Sequence, residues 1–200
     1  MKKFIDLIIS YKLFLFKILW FEFIYILLGY KGNSVNLREN DHATDTIPCP
    51  YFFLVKIFHL IKKENINSFV DLGCGNGRVI YFFKKKLNIQ YTGIEVFNNS
   101  FIECKKTFKN DNNVSIINQD FLDSNFNFGN YDCYFINDPL KDLKDHNMLI
   151  NSIKTAHKKS NLPAIVILVN VSKPKLSVFN NFKLLNKFTI GSRGFFIYKL

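Results

Sequence analysis

A short apolar run that leads into three closely spaced glycines constrains the fold of this chain more than any other feature. Residues 69–79 have the sequence FVDLGCGNGRV, in which Gly73, Gly75 and Gly77 follow a strand-like segment. Glycines allow a sharp turn with no side chain between the backbone and a ligand, and a helix after such a turn starts with free N–H groups. The pattern predicts a strand–turn–helix unit of an α/β sheet that binds a nucleotide-type cofactor.

The glycine spacing separates this turn from a dinucleotide-binding turn. Gly-x-Gly-x-x-Gly would place the third glycine at position 78, which is Arg78 here, so a nicotinamide oxidoreductase is disfavoured. The acidic residue Asp71 stands two positions before the first glycine. This acid-x-Gly-x-Gly-x-Gly string resembles motif I of the class I S-adenosylmethionine-dependent methyltransferases. The resemblance implies S-adenosyl-L-methionine as the cofactor, bound by Asp71, Gly73, Gly75 and Gly77.

Acidic residues end the next two predicted strands. Glu95 follows QYTGI about 20 residues after the glycines, and Asp120 with Phe121 follows the apolar segment that starts at Val114. Taken singly, such residues are commonly solvated turn carboxylates. In this order, the resemblance implies that Glu95 holds the ribose, Asp120 binds the adenine amino group and Phe121 flanks the ring.

A fourth strand, residues 131–136, leads into Asn137-Asp138-Pro139-Leu140. This corner partly resembles motif IV of the family, and it leaves open whether Asn137 or Asp138 is the equivalent polar residue. The resemblance implies that Asn137, Asp138 and the carbonyl of Pro139 orient an acceptor amine, or that Asp138 acts as base for an acceptor hydroxyl. Leu140 stands where an aromatic residue would clamp a nucleobase, which disfavours methylation of a base.

Helices and strands alternate after residue 50, which predicts a doubly wound, mostly parallel sheet. The resemblance extends this to seven strands with an antiparallel C-terminal strand, and residues 182–190 and 195–200 are expected to form the closing hairpin. Helices are expected at 51–63, 78–86, 99–108 and 142–158. We expect the methyltransferase domain to span residues 46–200, and residues 1–45 to form an apolar N-terminal helix with a connecting segment.

The N-terminal helix is apolar from Leu13 to Leu28 except for Lys17 and Glu22. Two ionised groups within a membrane span would each cost about 2.5 to 3.5 kcal/mol, so a spanning helix is disfavoured, as is a signal peptide. Two alternatives stay open: the helix lies in a membrane interface, or it packs on its own sheet or on a partner subunit. We therefore expect a cytoplasmic protein. A peripheral contact of residues 1–30 with the inner face of the membrane is a candidate interaction.

The segment DTIPCPY before the first strand resembles the Pro-Thr-Pro-Tyr type of segment of small bacterial methyltransferase-like proteins, distantly similar to the seven-strand histone lysine methyltransferases. The resemblance implies that Thr46, Pro50 and Tyr51 close over the cofactor and line the substrate entrance. A plain linker is the alternative.

The charge and the cysteines say little about partners. The net charge is +11, and only three of the 27 basic residues are arginines, so nucleic acid is weakly supported as a partner. The four cysteines show neither a zinc nor a disulfide pattern, so no metal is expected. The sequence predicts a methyltransferase with an unidentified acceptor. A catalytically inactive, membrane-docked cofactor-binding module is the alternative, against which Asp71, Glu95 and Asp120 argue.

Overall fold

The computed structural model describes residues 2–32, 47–123, 126–128, 131–160 and 163–200, without the side chains of residues 2–10, 159 and 160. Its helices are α1 (Lys2–Leu27), α2 (Tyr51–Ile61), α3 (Arg78–Lys84), α4 (Asn98–Thr107), α5 (Leu143–Ser160) and α6 (Lys173–Leu176), the last followed by a 3₁₀ turn at Ser177–Phe179. Its strands are β1 (Ser68–Leu72), β2 (Gln90–Glu95), β3 (Val114–Asn118), β4 (Cys133–Ile136), β5 (Ile165–Val169), β6 (Lys183–Ile190) and β7 (Arg193–Lys199).

The seven strands form one sheet in the order β3-β2-β1-β4-β5-β7-β6. Strands β1 to β5 pair in parallel, and β7 runs antiparallel to both of its neighbours. This confirms the predicted fold class. The strand order reverses between β1 and β4, and open α/β sheets bind ligands at the carboxyl edge beside such a reversal.

Apolar cores cover both faces of the sheet, as buried parallel strands require. In β1 the side chain of Phe69 joins the core beneath α2 and α3, whereas Val70 joins the core beneath α5. All five residues of β5 are buried. The closing hairpin turns over Gly191 and Ser192 alone, so β7 starts at Arg193, two residues earlier than predicted. The positive φ of Gly191, 57°, suits a two-residue hairpin turn.

Helix α1 packs on the domain through one face. Phe14 is 5% exposed and belongs to the same core as α2, and Ile18, Phe21 and Tyr25 pack against that core. These positions recur every three or four residues, which places them on one side of a helix. Within the described residues, no helix has both the length and the apolar character that crossing a membrane requires. The side of α1 that carries Phe14, Ile18, Phe21 and Tyr25 thus packs on its own domain, which is one of the two alternatives left open by the sequence.

Candidate active site

The loop between β1 and α3 has a backbone path that depends on its glycines. Gly73, Gly75 and Gly77 have φ angles of 80°, 53° and 84°, a region that residues with a Cβ rarely adopt. Space is also short, because a Cβ on Gly73 would lie 2.9 Å from Cβ of Pro139, and one on Gly77 would lie 2.7 Å from Sγ of Cys104. No side chain of these three residues stands between the loop and a ligand.

Two buried carboxylates lie beside this loop on neighbouring strands. Asp71 of β1 pairs in register with Gly93 of β2, and Glu95 ends β2 two residues later. Oε2 of Glu95 accepts a hydrogen bond from the N–H of Gly75 at 2.8 Å, and Oε1 accepts one from the N–H of Phe97 at 2.9 Å. Glu95 therefore ties the glycine loop to the end of β2.

Asp71 carries a buried oxygen, Oδ2, that has no hydrogen-bond partner among the described residues. Burial, and to a smaller extent the charge of Glu95, raises the pKa of Asp71 to about 8. A small cavity of about 30 Å³ adjoins it, with walls that include residues 47–49, residues 73–76 and Asn137. An unpaired buried oxygen is costly, so this point of the structure suits a small donor such as an ammonium group.

The turn after β4 holds its two polar residues in different ways. Asn137 donates from Nδ2 to the carbonyl of Ile47 at 2.9 Å, and its Oδ1 accepts a hydrogen bond from Nδ2 of Asn170 at 3.2 Å. Asp138 has a φ of 43°, and its Oδ1 forms an ion pair with the buried Nζ of Lys175 at 2.6 Å. Asn137 is thus fixed by neutral hydrogen bonds, whereas Asp138 is the partner of a buried cation.

A second, open cavity of about 920 Å³ adjoins the same turn. It lies between the turn after β4, residues 170–173 after β5, and the hairpin of β6 and β7. Asn137 and Ile47 line both this cavity and the small one beside Asp71. The two cavities therefore meet at Asn137.

The walls of the larger cavity carry an excess of positive charge. Lys173, Lys187 and Arg193 line it, all three are exposed, and none forms an ion pair with a described residue. Among its described lining residues, Asp138 is the one carboxylate, and Lys175 already neutralises it. As far as the described residues show, the cavity therefore presents three uncompensated cations to whatever enters it.

The segment before α2 meets the site only in part. Thr46 lies outside the described residues. Pro50 and Tyr51 are buried and line neither cavity, whereas the preceding residues 47–49 line the small one. The ring of Tyr51 lies 4.4 Å from the guanidinium carbon of Arg78, and burial raises the pKa of its hydroxyl to about 12. Tyr51 thus belongs to the core beneath the glycine loop.

Asp120 and Phe121 follow β3 at the same edge of the sheet but line neither cavity. Asp120 is exposed, and its Oδ1 accepts a hydrogen bond from the N–H of Leu122 at 2.8 Å. Phe121 is 8% exposed and packs in the core beneath α5. Their roles toward the adenine stay predictions.

Several residues to which the sequence analysis assigned no role in the site contact it. Gly32 lies on the first residue of α3, because a Cβ on it would be 2.5 Å from the backbone nitrogen of Arg78. Nη1 of Arg78 binds Oε2 of Glu22 on α1 at 2.8 Å. Asn170 and Lys175, which follow β5 in the chain, bind the two polar side chains of the turn after β4. The residues in these pairs are 33 to 56 positions apart, so no local pattern could have revealed them.

Comparisons with known proteins identify the kind of domain. Residues 69–160 match a family model described as a methyltransferase domain. A comparison with curated protein sequences finds no match.

Several solved structures share the fold. A Staphylococcus aureus protein assigned as a caffeoyl-CoA O-methyltransferase has a TM-score of 0.58 and 19% identity, covering 77% of this chain and 85% of its own. The N-methyltransferase NodS from Bradyrhizobium japonicum WM9, in complex with S-adenosyl-L-homocysteine, has a TM-score of 0.58 and 10% identity, covering 73% and 83%. The magnesium protoporphyrin IX methyltransferase from Synechocystis PCC 6803, with bound S-adenosylmethionine, has a TM-score of 0.55 and 15% identity, covering 73% and 76%. At these identities the likeness establishes a shared fold.

Proposed function

Because this chain is, by its domain and its fold, a class I S-adenosylmethionine-dependent methyltransferase, we propose that the cofactor lies along the loop 73–77 and that the methyl acceptor enters the larger cavity. One observation carries this assignment: Asn137 lines both cavities. A methyl group can pass directly between two bound molecules only where their sites meet. We therefore assign Asn137, rather than Asp138, to the polar position of motif IV.

Asp71 and Glu95 provide polar contacts on the cofactor side. The unpartnered Oδ2 of Asp71 fits the ammonium group of the methionine part, since that group would satisfy a buried oxygen that otherwise has no partner. Glu95 ends β2 directly beside the glycine loop, whose Gly75 N–H it binds, so we assign its carboxylate to the ribose hydroxyls. We keep for Asp120 the role of binding the adenine amino group, and for Phe121 that of flanking the adenine ring.

When bound, S-adenosylmethionine supplies a methyl group on a sulfonium, which the acceptor displaces in line. The chain contributes by holding the acceptor in that line. Asn137 is kept in place by Ile47 and Asn170, and its Oδ1 has a second lone pair that can accept a hydrogen bond from an acceptor N–H or O–H. Asp138 would lose its ion pair with Lys175 if it acted as base, so we assign it the role of fixing the turn.

The charge of the larger cavity favours an acceptor that carries an anionic group, such as a phosphate or a carboxylate. Lys173, Lys187 and Arg193 would attract such a group, and their charges would also lower the pKa of an acceptor amine or hydroxyl. A lower pKa makes the nucleophilic form of the acceptor more abundant at neutral pH. The proposed acceptor is therefore an amine or a hydroxyl on an anionic molecule.

Thermal unfolding with S-adenosylhomocysteine tests the cofactor assignment. Ligand at 100 times its dissociation constant adds about 2.7 kcal/mol, which is a rise in Tm of roughly 5 to 10 °C for a chain of this size. We expect this rise in the wild type, a smaller one in Glu95→Ala, and an undiminished one in Asn137→Ala. Asn137→Ala should also fail to transfer labelled methyl groups to a cell extract that the wild type labels.

Equal rises in the wild type and in Glu95→Ala would contradict the cofactor assignment. Loss of the rise in Asn137→Ala would move that residue into the cofactor site. Binding of S-adenosylhomocysteine with no transfer by the wild type to any fraction of an extract would favour the inactive, membrane-docked module instead.

A further inference from the structure

Between positions 13 and 27, the side of α1 that faces away from the domain is apolar and is not covered by any described residue. Eight apolar side chains between positions 13 and 27 are 43–69% exposed, and we call this set the outer face of α1: Leu13, Leu15, Phe16, Leu19, Trp20, Phe23, Ile26 and Leu27. Contiguous apolar patches of this kind are rare on monomeric soluble proteins unless another surface covers them. The outer face of α1 therefore needs an occupant.

The width of this face indicates the kind of occupant. At 3.6 residues per turn, the eight side chains span about 160° of the helix circumference. The seam between two paired helices is narrower, because only two positions in each heptad meet the partner. A helix lying on a bilayer can bury a wide apolar arc in the region between the headgroups and the acyl chains.

Among the described side chains of residues 11–32, the exposed charges have one sign. Lys12, Lys17 and Lys31 are exposed. The one described acidic residue between positions 11 and 32 is Glu22, whose two oxygens bind the N–H of Tyr51 and the guanidinium of Arg78. Its negative charge is thus compensated within the protein, and the whole chain carries +11. An anionic surface is the complementary partner.

We propose that the outer face of α1 docks this protein on an anionic phospholipid bilayer, with the helix axis along the surface. Trp20, Phe16 and Phe23 enter the boundary between headgroups and acyl chains, where aromatic side chains are favoured. Lys12 and Lys17 meet the phosphates. This inference concerns binding to a surface and is independent of the methyl acceptor.

Trp20 makes the proposal directly testable, because it is the chain's one tryptophan and it belongs to the outer face of α1. The full chain is titrated with phosphatidylcholine vesicles and with vesicles that also contain phosphatidylglycerol. We expect a blue shift of the tryptophan emission, quenching by brominated acyl chains and co-sedimentation with the anionic vesicles. Raising the salt concentration should weaken all three signals.

Variants separate the apolar contribution from the ionic one. Phe16→Ser with Phe23→Ser should weaken binding to anionic vesicles at least about tenfold, the effect of withdrawing one such side chain from an apolar phase. Lys12→Gln with Lys17→Gln should weaken it about thirtyfold, from the usual contribution of two lysines near an anionic surface. Ile102→Ser is the matched control, because Ile102 is 52% exposed on α4 and should not change binding.

Two results would overturn the proposal. One is the absence of any emission shift or co-sedimentation with anionic vesicles. The other is a dimeric mass by light scattering that becomes monomeric in Phe16→Ser with Phe23→Ser, since a second copy of the chain would then cover the outer face of α1. The Tm and its rise with S-adenosylhomocysteine confirm that each variant is folded.

Discussion

Replacing Asp71 with asparagine should stabilise the protein at neutral pH and change little at pH 4. Asp71 is 2% exposed, and burial followed by the charge of Glu95 raises its pKa to about 8, whereas an aspartate in the unfolded chain titrates near about 3.9. At pH values between about 3.9 and about 8, Asp71 keeps in the folded state a proton that it has released in the unfolded state. The free energy of unfolding of the wild type therefore falls as the pH rises through this window.

The size of the effect follows from the two pKa values. At about 1.36 kcal/mol per pH unit, the retained proton lowers the stability of the wild type by about 4 kcal/mol at pH 7. Asparagine has nearly the same shape and does not titrate, so the variant avoids this loss. The gain should be close to zero at pH 4, rise through pH 7 and level off above pH 8.

Urea unfolding of both proteins at pH 4, 7 and 8.5 measures this difference. Glu64→Gln, which removes an exposed carboxylate, is the control and should shift stability little at every pH. A difference between wild type and Asp71→Asn that does not vary with pH would refute the reasoning. So would a variant that is less stable at pH 7, because Asp71 would then be ionised and stabilised by contacts in the folded state.

Four further predictions concern the loop and the cavities. Binding of S-adenosylhomocysteine should tighten as the pH rises toward 8 in the wild type and not in Asp71→Asn. The reason is that an ammonium group beside Asp71 displaces the proton of this carboxyl group. Calorimetry in buffers of different ionisation heat detects the released proton. Gly77→Ala should lower the free energy of unfolding by about 2 to 4 kcal/mol, from its left-handed φ and the crowded Cβ, as read from urea midpoints. Glu22→Gln should cost about 2 to 3 kcal/mol by removing the carboxylate charge that faces the buried Arg78, and adding Arg78→Gln should recover part of that loss. Arg193→Gln should reduce labelling of the anionic fraction of a cell extract while S-adenosylhomocysteine binds as before.

The parts of the fold that the sequence predicted are those set by local chemistry. The glycine turn was predictable because three residues in the left-handed region within five positions need glycine. The closeness of Asp71 and Glu95 was predictable as well, since consecutive parallel strands carry their ends to the same edge. The hairpin start at Arg193 was missed by two residues, because the pattern of apolar residues does not fix where a tight turn ends.

The contacts that the sequence did not reveal join residues far apart in the chain. As a charge within an apolar helix, Glu22 disfavoured a membrane-spanning segment. Nothing in the surrounding sequence indicated its ion pair with Arg78. Lys175 is in a four-residue helix after β5, 37 positions from the carboxylate that it binds. Tyr51 stands in the segment with the lid-like sequence, and nothing in that sequence indicated that its ring would pack against Arg78.

The ion pair of Glu22 and Arg78 also connects α1 to the glycine loop. Arg78 is the first residue of α3, directly after the glycine loop, and its guanidinium binds Glu22 on the inner side of α1. Gly32 lies against the backbone of Arg78, so the chain that leaves α1 is held at the same point. A surface that binds the outer face of α1 would therefore hold the glycine loop at a fixed distance and angle. The larger cavity opens from the same edge of the sheet, so its orientation toward that surface would be set by contacts already made in the folded protein.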